Sequence, residues 1–193
     1  METIKLPKPR LTGTMSVEEA IRERRSQRAY KDDPLAIDEL GQLLWAGQGV
    51  TSEDGRRAAP SAGAIYPMHL YTFQASGVHR YNPAEHSLEP ALPGDLRKEL
   101  SKAALGQETV RNAPLVIVVT ADVNKTAVKY GRRAVRYCDL EAGHIAQNIA
   151  LQAKSLGLGM VTVGAFEDED VEKLLKLPGG WRVCYVLAVG RMP

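Results

Sequence analysis

The sequence predicts an α+β fold on three observations. Helical and strand-like segments alternate irregularly: helix, helix, strands, helix, strand, long helix, strand, helix, strand. That order is neither strict βαβ alternation nor a bundle. Neither common phosphate loop is present, since no GxGxxG follows a strand and no GxxxxGK(S/T) occurs. The 193 residues, 44% hydrophobic and 25% charged, suit a soluble globular chain. They are read as a single domain over 1–193, with 1–15 as an N-terminal extension.

Ser16-Val17-Glu18-Glu19 has capping-box spacing, a serine to cap the first turn and a glutamate three residues on, and opens a helix through about Arg25. From Asp38 to Gln48, Leu40, Leu43 and Leu44 recur at helical spacing, and the run stops near Gly47 and Gly49. TSEDGRRAAPSAGAI, residues 51–65, has no period; a loop of this length is usually functional or disordered. HLYTFQA (69–75) reads as a strand, VHRYNPAEHSLE (78–89) as a hairpin turning at Asn82 to His86, and DLRKELSKAAL (95–105) as a helix ending before Gly106.

Unbroken branched residues make LVIVVTA (115–121) a buried strand. From Asn124 to a stop at Gly157 the chain reads as one long central helix, with Leu140, Ile145, Ile149, Ala153 and Leu156 on one apolar stripe. MVTVGAF (160–166) follows as a strand, DEDVEKLLKL (168–177) as a helix capped by Asp168, and WRVCYVLAVG (181–190) as the last strand.

Twenty-five basic against 23 acidic residues leave a charge of +2, and aromatics are only 6%. Neither value suits a nucleic-acid partner, which needs basic surface and stacking platforms. The N-terminus lacks a signal-peptide core and the apolar runs are strand-sized, so no membrane partner and a cytoplasmic location are expected. Cys138 and Cys184 are far apart and form no metal-like spacing, which suits a reducing compartment. No metal is expected. The sequence has no Ser-His-Asp order and no HExxH, and His69, His79, His86 and His144 read as structural or exposed.

Two stretches remain. RERRSQRAY (22–30) gathers Arg22, Arg24, Arg25 and Arg28 around Ser26; guanidinium forks with a hydroxyl suit phosphate oxygens, and the same cluster also suits a solvated basic face. PSAGAIYP (60–67) carries almost no reactive side chain, which suits a wall built to come close to something flat: Pro60 fixes the backbone, Ser61 offers a hydroxyl, and Ala62 and Gly63 keep bulk away.

RRSQRAY followed by DDP, then PSAGAIYP, then LGLGMVTVGAF, resemble in order three flavin-contacting segments of the FMN-dependent nitroreductase family. The resemblance runs from about Val17 to Met192. KYGRRAVRYCDLEAGHIAQNIALQAKSLGLG and the final AVGR are most similar to the SagB-type dehydrogenase branch. The resemblance implies a mostly antiparallel sheet flanked by helices, in a homodimer with FMN at the subunit interface.

It further implies that Arg24, Ser26 and Arg28 hold the FMN phosphate and ribityl chain, with Arg25 contributing backbone contacts and Arg191 closing on the same phosphate. Pro60, Ser61, Ala62 and Gly63 would wall a flavin whose phosphate the other subunit holds. Val163, Gly164 and Ala165 would pass the isoalloxazine edge near N5, although the segment also reads as a plain strand end. Gln107 would add a side-chain contact to FMN, and it also reads as an ordinary polar loop residue.

The implied activity is ping-pong hydride transfer between NAD(P)H or a similar donor and a small-molecule acceptor such as a nitro compound or quinone. The SagB branch adds azoline-ring oxidation, with Lys129-Tyr130 in the place of a catalytic Lys-Tyr pair and the lysine as base. Neighbours on a helix point about 100° apart, so at most one of the two is expected to face the flavin. Against that branch, Lys129 also reads as a surface residue, and the chain is expected to lack the N-terminal region of the peptide-modifying enzymes. A flavin-binding module without turnover and a colourless anion-binding protein are the remaining alternatives.

Overall fold

The computed structural model describes residues 2–193. In chain order the elements are β1 (Ile4–Lys5), α1 (Val17–Glu23), α2 (Ile37–Gln48), β2 (Met68–Gln74), β3 (Gly77–Asn82), β4 (Ser87–Leu92), α3 (Arg97–Ala103) and α4 (Glu108–Asn112). They continue as β5 (Leu115–Asp122), α5 (Val123–Tyr130), α6 (Ala134–Ser155), β6 (Leu158–Val163), α7 (Asp168–Leu175) and β7 (Trp181–Arg191). The strands form a seven-stranded sheet in the order β1-β4-β3-β2-β5-β7-β6, every neighbouring pair antiparallel. This is the expected α+β class.

The central strand β5 explains the layers. Successive side chains of a strand point to opposite faces. Leu115, Ile117, Val119 and Ala121 therefore pack with α2 and α6, while Val116 and Val118 pack with α3, α4 and α7. Both faces are covered, which is why the strand reads as an unbroken apolar run.

Several boundaries differ from the sequence expectation for identifiable reasons. The long central helix is two: Gly131, at φ 50 and ψ −129, breaks it, and a short 3-10 turn over Gly131–Arg133 separates α5 from α6. Leu140 lies outside the apolar stripe, 52% exposed, and the buried position beside it belongs to Glu141. The Ser16 cap holds, its hydroxyl accepting the Glu19 amide at 3.1 Å, but α1 stops at Glu23. Asp168 is the first residue of α7 and Glu167 its cap. β6 ends at Val163, so Gly164 and Ala165 stand beyond the sheet. The five-residue α4 and two-residue β1 are additional; neither is long enough to show a period.

Candidate functional site

The segment after α1 lies beside β6. Ser26 forms a parallel bridge with Met160, and the Gln27 amide donates to the Met160 carbonyl at 2.9 Å. This approach depends on a cross-strand pair of glycines, Gly159 and Gly190. A Cβ on Gly159 would lie 2.8 Å from Cβ of Gln27, and one on Gly190 would lie 2.9 Å from Cβ of Tyr30. Tyr30 anchors the segment by donating to the Ala188 carbonyl at 2.9 Å.

With its backbone held this way, the segment leaves Ser26 and Arg28 exposed and Arg24 half-buried. The Arg25 guanidinium turns back onto the Arg22 and Arg24 carbonyls, 2.8 Å each, so its side chain serves the end of α1. Arg191 comes to the same region, its carbonyl accepting the Lys31 amide at 2.9 Å. Its Nη2 donates to both oxygens of Glu39, at 3.0 and 2.9 Å. At the far end of β6, Gln107 donates its side-chain amide to the Ala165 carbonyl at 2.9 Å and the Ala104 carbonyl at 3.0 Å. Arg24, Arg25, Ser26, Arg28, Gln107, Val163, Gly164, Ala165 and Arg191 are thus spread along one strand and its flanks.

The loop Pro60–Tyr66 forms a second group. It carries three positive φ values in four residues, Gly63 at 61, Ala64 at 54 and Tyr66 at 52. For the two non-glycine residues such backbone costs roughly 1–3 kcal/mol each and persists only where surrounding contacts enforce it. Those contacts are present: the Tyr66 amide donates to Ser61 Oγ at 2.9 Å, Lys125 Nζ to the Tyr66 carbonyl at 3.2 Å, and the Arg57 amide to the Tyr66 hydroxyl at 3.2 Å. The Asn148 side chain donates to the Ala58 carbonyl at 3.3 Å, and His144 Nδ1 lies 3.4 Å from the Pro60 carbonyl.

Lys129 and Tyr130 close on this loop. A Cβ on Gly63 would lie 2.6 Å from the Tyr130 hydroxyl and 2.8 Å from Lys129 Nζ. Both side chains therefore reach the same spot beside Gly63, although neighbours on a regular helix point about 100° apart. Tyr130 sits where α5 ends, at φ −116 and ψ 1, and the 100° rule no longer applies there.

Beneath the loop lies a residue that sequence reasoning missed. Glu141 is 2% exposed. Gln48 Nε2 points at its Oε1 from 3.5 Å, and Gln48 Oε1 accepts Arg57 Nη1 at 2.6 Å. Burial pushes the Glu141 carboxyl up to about 7, against the opposing pull of the Ser61 and Gln48 side chains and the charges of Arg57 and Lys125. The sequence signal was a carboxylate on a buried stripe with Cys138, Ala142, Ile145 and Ile149.

The two groups meet α6 at different points. Lys154 pairs with Glu23 at 3.2 Å near the first group, and His144 touches Pro60 in the second. Ten residues of helix, roughly 15 Å, lie between them. Among the described residues no hydrogen bond joins the groups. A groove of about 890 Å³ along α2 and α6, lined by Arg10, Met15, Gln42 and Trp45, contains none of the expected site residues. No cluster of metal-ligating side chains is found among the described residues, and none of their helices is long and apolar enough to cross a membrane.

The sequence profile of the Nitroreductase family matches residues 21–191, and the chain belongs to that family. It is an oxidoreductase. A protein of Methanocaldococcus jannaschii, named as a candidate nitroreductase, is 41% identical over 169 residues, covering 84% of this chain and 85% of that one. The crystal structure of a candidate nitroreductase from Ralstonia eutropha JMP134 superposes with a TM-score of 0.91 at 30% identity, covering 99% of this chain and 90% of that one. The Bacillus subtilis protein named FMN reductase (NAD(P)H) is 26% identical, covering 82% of this chain and 59% of its own. The trifolitoxin-processing protein TfxB of Rhizobium leguminosarum bv. trifolii is 28% identical over 138 residues, and this chain spans only 37% of its length.

Proposed function

We infer that the chain is an FMN-dependent oxidoreductase acting as a homodimer, each flavin lying between two copies. The observation that carries this is the division of the site residues into two groups. From the Ser26 bridge at Met160 to Val163 and Ala165 is three to five residues of extended chain. That is roughly 10–16 Å, comparable with the separation of phosphate and ring in FMN. The donors also fit a phosphate dianion, with Arg24 and Arg28 as guanidinium forks, Ser26 as a hydroxyl and Arg191 alongside, aimed by Glu39. The bland loop Pro60–Gly63 then walls the flavin of the other copy.

Bound FMN supplies two-electron hydride chemistry at N5, here between NAD(P)H and a nitro compound or quinone in ping-pong order. The chain's own part is binding and orientation. Gln107 fixes the Ala165 carbonyl and so would hold the backbone at the ring edge, and the strained loop would cover the ring against water. Lys129 and Tyr130, meeting over Gly63, place an amine and a phenol at that wall. This convergence also favours a second reading, SagB-type oxidation of an azoline or related ring, in which Lys129 takes the ring proton. The unbridged thiols of Cys138 and Cys184 support a cytoplasmic setting.

The purified protein is expected to be yellow, or to become so on adding FMN. Arg28→Ala is expected to lose about 1.5–3 kcal/mol of FMN affinity, roughly tenfold to a hundredfold. Titration by flavin fluorescence measures it. A colourless protein that takes up no FMN would overturn the reading, and full affinity in Arg28→Ala would overturn the phosphate assignment.

A further inference from the structure

A second cavity, of about 200 Å³, lies where the end of α2 and the start of the wall loop meet β2 and β3. The flavin reading makes no use of it. None of its lining residues is exposed, so it is built into the fold rather than laid on the surface. Its volume is several times the roughly 30 Å³ share of one water and below the roughly 300 Å³ at which drug-sized pockets begin. It suits a molecule of a few heavy atoms.

The polar side of the cavity is unbalanced in charge. Arg57 and Arg80 both line it, against Glu89 as the one carboxylate. Glu89 is already engaged, accepting Arg80 Nη2 and Asn82 Nδ2 at 2.8 Å each. The half-buried Arg57 is matched by neutral groups instead: its Nη1 donates to the amide oxygen of Gln48 at 2.6 Å, and the guanidinium lies 5.0 Å from the centre of the Tyr66 ring. Gln48 also separates it from Glu141, whose carboxyl burial keeps protonated up to about 7. A guanidinium that has given up water for one amide and a ring face, beside a polar cavity, calls for a counter-charge. The same two contacts hold it still, so the rest of its donor fork is pre-organised.

We propose that this cavity binds a small organic carboxylate, its charge paired with Arg57 and its short apolar chain resting on Met68 and Leu70. Two guanidinium groups against one carboxylate leave a single positive charge, which a monoanion cancels. The planar fork of Arg57 matches the two oxygens of a carboxylate. His69 adds a donor from the same lining: its ring is stacked on Trp181 with centroids 4.2 Å apart, which leaves the ring edge for hydrogen bonding. Burial, with the charges of Arg80 and Arg57, holds His69 down to about 4, so the imidazole is neutral and one of its nitrogens carries a hydrogen. Met68 and Leu70, each 1% exposed, supply apolar wall, which an inorganic anion would leave unused. The site is distinct from the Arg24, Ser26 and Arg28 segment beside β6, because β5 and β7 lie between β2 and β6 in the sheet. It stands without the flavin reading.

The test is a titration of the full chain with butyrate at about pH 6, where Glu141 is protonated, followed by NMR through the Arg57 side-chain Nε–H and the His69 ring. Butyrate is expected to saturate with a dissociation constant of about 10 mM or tighter and to move both signals. Butyramide, its uncharged match, is expected to move neither, and acetate, with the charge but less chain, to bind about tenfold more weakly than butyrate. Arg57→Gln, followed at His69, is expected to weaken butyrate about tenfold or more. Glu89→Gln, which keeps Arg57 and removes the one negative charge of the lining, is expected to tighten it about threefold. Because Arg57 also holds the loop, Glu89→Gln and the butyramide comparison decide the question if Arg57→Gln fails to fold. Arg28→Ala, in the other arginine segment, is expected to bind butyrate as wild type does. Absence of saturable binding, butyramide or acetate binding as tightly as butyrate, affinity unchanged by Arg57→Gln or by Glu89→Gln, or loss of butyrate in Arg28→Ala would each overturn the proposal.

Discussion

A Gly63→Val chain is expected to fold and to bind no flavin. Valine at φ 61 is strained for a β-branched residue, by roughly 1–3 kcal/mol, which the buried core can absorb. The larger effect is on shape. Its Cβ would stand 2.6 Å from the Tyr130 hydroxyl and 2.8 Å from Lys129 Nζ, so both side chains must leave their positions and the wall gains bulk where a flat ring should rest. Gly63 is exposed, away from both core clusters. Circular dichroism and a melting curve should therefore remain close to wild type while FMN titration fails. A Gly63→Val protein with wild-type FMN affinity would remove the loop from the site.

The second large effect is on stability against pH. Glu141 has a folded-state pKa raised from 4.5 to about 7, so the folded protein holds this proton more tightly than the unfolded chain. The stability it contributes is complete below pH 4.5 and lost as pH rises through about 7, a total of about 3 kcal/mol. His69, lowered from 6.5 to about 4 by burial, acts in the opposite sense: its contribution is present above pH 6.5 and lost as pH falls toward 4. The two slopes oppose each other between pH 4.5 and 6.5, so a wild-type curve alone conceals both. The difference between wild type and Glu141→Gln isolates one. Urea unfolding should give a Glu141→Gln protein that gains about 2.5 kcal/mol on wild type between pH 5 and pH 8. A difference that stays constant with pH would mean that the carboxyl is not strained by burial.

Much of the fold was legible because its elements follow local rules. β5 was visible as LVIVVTA because both its faces are covered, and the hairpin of β3 and β4 turned where its polar residues cluster. The start of α1 was visible because Ser16 makes its cap bond within the chain's own first turn. The errors arose where tertiary contacts or a single dihedral decide. Gly131 breaks the helix through its backbone angles, although the residues on either side keep helical composition. β1 exists only because Ile4 and Lys5 find Leu88 and Ser87. Leu140 was placed inside on hydrophobicity, yet it stands five residues from Ile145 along the unbroken α6, whereas Glu141 stands four and so shares the buried face.

The candidate site was legible as motifs and not as geometry. The Arg-Ser-Arg segment, the bland loop and the β6 end could each be named from the sequence. Their division into two groups, meeting α6 roughly 15 Å apart, could not be, because it depends on how α6 crosses the sheet. The meeting of Lys129 and Tyr130 over Gly63 was hidden for the same reason as the helix break: the pair stands at the end of α5, where regular spacing no longer predicts direction.

The claim that each flavin is shared between two copies is tested by mixing two defective chains. Arg28→Ala damages the phosphate group and Gly63→Val the wall, so at an FMN concentration close to the wild-type dissociation constant each homodimer alone should hold little FMN. If the wall serves the other copy, a mixed dimer of the two has one site carrying both defects and one site carrying neither. Co-expression with two different tags, purification of the mixed dimer and its visible spectrum should then give a yellow protein with one FMN per dimer. A mixed dimer as colourless as its parents would contradict the shared site, because it would place phosphate group and wall on the same chain.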